Sequence, residues 1–145
     1  MKKISLFFAL FLVLGLGKSF AGYLNVINMT NCPFQFYSGI GSIVSGSTTY
    51  QFTFGTVNIN PGSNFFANPT LLTGFATNAP ASAQASGCVE ITKVNGPGGA
   101  AFPIGKMAPY TTYASTNNPT CNAGNNYTMT WNTGSNNCDA VILIF

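Results

Sequence analysis

Tyr127-Thr128-Met129-Thr130-Trp131 alternates large apolar with small polar side chains, Asn132 to Asn137 supplies a turn, and Cys138-Asp139-Ala140-Val141-Ile142-Leu143-Ile144-Phe145 returns. Period-two alternation on either side of an Asn/Gly/Ser turn predicts a β-hairpin. The return is apolar at every position from Ala140 to Phe145. A strand with no wet face must be covered on both sides or sit in the middle of a packed sheet. That demand calls for a fold of two layers.

The same alternation recurs upstream. Tyr50, Phe52 and Phe54 alternate with Gln51 and Thr53, and Val57 and Ile59 alternate with Thr56 and Asn58, up to Asn60-Pro61-Gly62-Ser63. In that tetrapeptide Pro presets the second turn position and Gly accepts positive φ at the third, which predicts a type II turn. Further strands are expected over Tyr23 to Met29, Phe34 to Tyr37 and Cys88 to Val94, with others near Phe65-Phe66, Leu71 to Phe75, Phe102 to Ile104 and Tyr110 to Ala114. Gly39, Gly41 and Gly46 are expected to loosen the chain after the second strand. Asn95-Gly96 suits either a tight hairpin or, with Pro97-Gly98-Gly99, a longer loop. Only Ala79 to Ala85 hints at a helix. About eight short strands predict an all-β, antiparallel β-sandwich, immunoglobulin-like or jelly-roll in its connections. The competing architecture is a membrane β-barrel, since Val141, Leu143 and terminal Phe145 are similar to a closing barrel strand. Most strands here are shorter than the roughly 9–11 residues a barrel strand needs.

Lys2 and Lys3, the apolar run Ile4 to Leu16 and the small-residue site at Ser19, Phe20 and Ala21 predict a secretory signal peptide over residues 1–21, cleaved after Ala21. Residues 22–145 then form a single domain with no linker and no integral membrane span. The full sequence carries a net charge of +3, but residues 22–145 hold only Lys93, Lys106, Glu90 and Asp139, which cancel. There is no His and no Arg. A neutral chain without Arg lacks the electrostatic footprint that phosphate binding requires, so nucleic acid is not an expected partner. Cys32, Cys88, Cys121 and Cys138 are an even set in an exported chain and predict two disulfides, with three pairings open. Their spacing contains no C-x-x-C knuckle and no His partner, so neither a metal nor another cofactor is expected.

The chemical inventory argues against an enzyme. Glu90 and Asp139 are the only carboxylate pair available to a glycoside hydrolase, and both read as solvated edge charges, Glu90 sharing a strand with Lys93 in ordinary alternation. A serine nucleophile would lack a His base. The expected role is therefore contact: a secreted, extracellular or cell-surface protein, or a periplasmic one, acting structurally or adhesively on a protein or glycan surface or on its own copies. The alternatives are a carbohydrate-binding module and a secreted inhibitor or toxin. Aromatic rings stack on the apolar faces of sugars while amides and hydroxyls take their hydroxyl groups. Tyr110, Tyr113, Trp131 and Tyr127 are the candidate contacts, Tyr127 suiting the core as well as Trp131 does. Tyr110 and Tyr113 are expected to be exposed beside Pro109, whereas Trp131, alternating with Met129, also suits a core. The sequons at Asn28 and Asn126 are read as incidental.

Asn28-Met29-Thr30-Asn31-Cys32-Pro33, the Pro61-Gly62-Ser63 turn and the closing Trp131-Asn132-Thr133-Gly134 hairpin with its cysteine together resemble a group of small exported β-sandwich proteins of Bacteroidota. The resemblance spans most of residues 22–145 and implies a fold and a compartment, but no activity. The opening strand is also similar to that of thaumatin-like proteins. With far fewer cysteines and no acidic cleft, the chain departs from them, and their functions are not carried over.

Overall fold

The computed structural model describes residues 22–145, and the expected signal peptide at residues 1–21 lies outside the described residues. Among these, eleven strands follow in order: β1 (Leu24–Asn28), β2 (Phe34–Ser45), β3 (Thr48–Phe54), β4 (Val57–Ile59), β5 (Gly62–Phe66), β6 (Ala76–Thr77), β7 (Cys88–Asn95), β8 (Ala101–Gly105), β9 (Thr112–Ala114), β10 (Thr128–Thr133) and β11 (Ala140–Ile144). They form two open sheets, β5-β1-β11-β10-β9 and β6-β3-β2-β7-β8, with β4 also paired to β2. The fold is a β-sandwich with sheet edges, not a closed cylinder. No helix among the described residues is long and apolar enough to cross a membrane.

The strand count exceeds eight because the short expected runs, β4 and β9 among them, each pair as separate strands and β6 adds a further piece. Pairing is antiparallel except between β1 and β11, which run parallel. β11 sits at the centre of the five-stranded sheet, between β1 and β10. Its residues Ala140, Ile142 and Ile144 are buried in the core, while Val141 and Leu143 are half-buried on the outer face. Central placement, rather than a second cover, accommodates the all-apolar strand.

The core lies between the sheets. Leu24, Val26, Met129, Trp131, Ile142 and Ile144 face Phe34, Phe36, Phe52, Val94, Phe102 and Ile104 within one buried cluster, each large side chain contributing roughly 1.5–3 kcal/mol on removal from water. Tyr127 meets Phe34 edge-on at 5.0 Å between ring centroids. Burial, and secondarily the neighbouring Tyr113, pushes the Tyr127 phenol up to about 12. Neither the Tyr127 hydroxyl nor Trp131 Nε1 has a hydrogen-bond partner among the described residues.

Gly39 and Gly41 do not loosen the chain: both lie inside β2, which runs for 12 residues. They face inward opposite Phe54 and Phe52. A Cβ on Gly39 would stand 2.1 Å from Phe54 Cζ, and one on Gly41 2.2 Å from Phe52 Cζ. The glycines are recesses for the rings of the neighbouring strand. Leu71 and Leu72 likewise fall outside any strand. Asn68 Oδ1 accepts from Thr70 N at 3.1 Å and, with Pro69 at the first turn position, starts a 3₁₀ turn over Pro69–Leu71. The hint of helix near Ala79 becomes a 3₁₀ segment over Ala81–Ser86, and Asn95-Gly96 opens the longer loop, closed by Gly96 N donating to Ala100 O at 2.7 Å. Gly62 has φ +97°, as the type II turn requires.

The disulfides pair Cys32 with Cys121 and Cys88 with Cys138. The second joins the start of β7 in one sheet to the residues before β11 in the other. Asn28 is buried, its Nδ2 donating to Cys32 O at 2.7 Å and its Oδ1 accepting from Thr30 N and Oγ1. The Asn-Met-Thr-Asn-Cys motif thus serves a self-bonded turn, and its asparagine amide is committed.

Candidate functional site

β2 and β7 form the middle of the six-stranded sheet, and their pairing is broken twice. Phe36 lies opposite Val94 and Ser38 opposite Lys93, which leaves Tyr37 as an extra residue on β2. Ile40 lies opposite Ile91 and Gly41 opposite Val89, which leaves Glu90 as an extra residue on β7. An extra residue interrupts the in-out alternation and re-aims the side chains beside it. Val89 and Thr92 stay buried, so Glu90, Ile91 and Lys93 all emerge on the outer face.

The chain leaving β8 folds back over this stretch. Lys106 N donates to Glu90 O at 2.8 Å, Gly105 N to Tyr110 O at 2.8 Å and Tyr110 N to Met107 O at 2.9 Å, so a tight loop sets Tyr110 against the sheet. At Gly105 the loop passes so close to β7 that a Cβ would be 2.9 Å from Glu90 O.

A shallow groove of two lobes results, with Ile91 and Tyr110 common to both. The larger lobe, about 540 Å³, is lined by Glu90, Lys106 and Met107 around them. The smaller, about 290 Å³, adds Ser38, Ile40, Lys93 and Pro103. These volumes fall within or near the range typical of small-ligand sites, about 300–1,000 Å³. Tyr110 is 43 % exposed and Met107 77 %. Glu90 Oε1 accepts from Ser42 Oγ at 2.6 Å, and Lys106 Nζ donates to Asn137 O at 2.6 Å, tying the loop to the β10–β11 turn.

Three of the four charged side chains in residues 22–145 therefore line one groove, although Glu90 and Lys93 read from sequence as edge charges in ordinary alternation. The bulge is the reason. The fourth, Asp139, is not an edge charge either: it is 3 % exposed and accepts from Ser135 Oγ at 3.0 Å and Asn136 N at 3.3 Å within the β10–β11 turn. Asp139 does not line the groove, which leaves Glu90 as its single carboxylate.

Of the aromatic candidates, Tyr110 stands in the groove. Tyr113 does not. It is half-buried rather than exposed, stacked on Phe102 with centroids 3.5 Å apart and planes 3° from parallel. Trp131 belongs to the core. Glu90, Lys93 and Lys106 were absent from the expected contacts, and the available signal was their crowding into residues 90–106 of a chain almost free of charge. Compared with protein-family models, curated proteins and solved structures, the chain matches none.

Proposed function

We propose that this chain is a secreted, non-catalytic contact protein that recognises carbohydrate through the Tyr110 groove. The observation that carries the reading is the gathering of an exposed aromatic ring, an apolar floor and three charged side chains on a surface otherwise devoid of charge. A sugar presents the complementary set: an apolar face for the ring, and hydroxyls that donate to Glu90 and accept from the lysines. One carboxylate without a second opposite it, and without a histidine, offers binding but no acid-base pair. Two disulfides are compatible with an extracellular or periplasmic setting, and the N-terminal sequence supports export. Retention on a glycan array tests the reading. Tyr110→Ala is expected to weaken retention about tenfold, near the 1.4 kcal/mol of one stacked ring, while Tyr113→Ala leaves it unchanged. An array with no retained glycan removes the reading.

A second reading, structural self-association, is favoured by the outer face of the five-stranded sheet. Ile27, Val141, Leu143 and Phe65 lie there among Asn25, Thr130 and Asn132, with no charge to resist the approach of a second copy. Light scattering at high protein concentration tests it; a strictly monomeric protein excludes it.

A further inference from the structure

The charged groups around Tyr110 are not equivalent, and the difference narrows the ligand. Glu90 is held by Ser42, and Lys106 by the carbonyl of Asn137; both are fixed as parts of the groove wall. Lys93 is exposed on the smaller lobe, flanked across the ladders by Ser38 on β2 and Pro103 on β8. It lines that lobe together with the apolar side chains of Ile40 and Ile91. Apolar walls lower the local dielectric and strengthen the pull of a cation on an anion. Two lysines against one glutamate leave the groove at a net charge of +1, and the remaining charge of residues 22–145, Asp139, is buried. Among the side chains of the described residues, the groove therefore holds both cations.

Resting on the carbohydrate reading above, we infer that the ligand is an anionic sugar, its ring against Tyr110 and its carboxylate or sulfate on Lys93. Glu90 accepts from the hydroxyls of the same or the adjoining ring. A lysine is a compact point charge with three rotatable donors, so it suits either anion without the two-pronged geometry an arginine would impose. A neutral glycan would use the ring and Glu90 and leave Lys93 without a counter-charge.

Titration calorimetry on the purified protein with oligogalacturonate, its fully methyl-esterified form and a carrageenan oligomer, which carries sulfate and no carboxylate, tests the inference. At least one anionic oligomer is expected to bind about tenfold more tightly than the neutral ester, and the better of the two identifies the anion. Lys93→Gln is expected to abolish that preference and its salt dependence, bringing the affinity for the anionic oligomer down to that for the ester, and Lys93→Arg to retain it. Equal affinity for anionic and esterified forms, or a preference that survives Lys93→Gln, overturns the inference; the carbohydrate reading then still stands or falls on Tyr110→Ala. Absence of binding to every oligomer, together with an empty glycan array, removes both.

Discussion

The outer face of the five-stranded sheet carries no charge, whereas that of the six-stranded sheet carries Glu90 and Lys93 with Lys106 at its margin. Both faces are built from short strands of similar residues. On the first, β1, β11 and β10 pair without interruption, and Asn25, Val141 and Asn132 lie side by side in register, as do Ile27, Leu143 and Thr130. Unbroken register keeps the in-out alternation of side chains along each strand. On the second, the extra residues Tyr37 and Glu90 disturb the ladder, and the Lys106–Tyr110 loop folds back across it. Irregularity supplies both the concavity and the convergence of charge, so the proposed recognition site lies where the pattern breaks and not where it holds.

Separating the faces should produce the largest effect. Cys88 and Cys138 clamp the two sheets together across 50 residues, a loop worth roughly 4 kcal/mol by restriction of the unfolded chain. The double substitution Cys88→Ala with Cys138→Ala is expected to lower unfolding free energy in urea by about that much. It should also weaken ligand binding, since Asn137, which anchors Lys106, adjoins the lost bridge. Overfilling the bulged sheet comes next. Gly41→Val places a Cβ on the ring of Phe52 and against Cys88 O, and a loss of about 1–3 kcal/mol is expected in thermal unfolding.

The uninterrupted face answers to a smaller change. Phe65 is 60 % exposed on the edge strand β5, and Phe65→Lys introduces the charge that native edges use against pairing. Association detected by light scattering should disappear, stability should move by no more than about 0.5 kcal/mol, and groove binding should be untouched. The smallest effect concerns the core that both faces share. Removing the unpartnered hydroxyl by Tyr127→Phe is expected to be neutral or slightly stabilising near neutral pH. The folded phenol titrates near 12, above its ordinary value of 10.0. Stability is therefore full below pH 10 and falls as pH rises towards 12, where the unfolded chain ionises first. Tyr127→Phe should flatten that fall in a pH series of melting temperatures.

The layered architecture was legible because alternation at Tyr50 to Phe54 and Tyr127 to Trp131, and the wholly apolar Ala140 to Phe145, each dictate burial without reference to a partner. The misread elements depend on partners. Gly39 and Gly41 look like loop residues until Phe54 and Phe52 are seen lying over them, and Tyr113 looks exposed until Phe102 is placed beneath its ring. A bulge is a property of two strands in register, so the emergence of Glu90 and Lys93 on one face is not written in Cys88 to Val94 alone. Lys106 reaches the same groove from a loop whose hydrogen bonds run to β7. Asp139 was misjudged for a similar reason: the turn that buries it is closed by its own carboxylate.

The parallel pairing of β1 with β11 has a consequence for how the molecule comes into being. Leu24 lies 116 positions before its ladder partner Ala140, so a polypeptide emerging amino end first holds an unfinished sheet until residues 140–144 have been synthesised. Contacts of such long reach slow folding and leave the earlier strands waiting, unpaired on one flank, for the last segment of the chain.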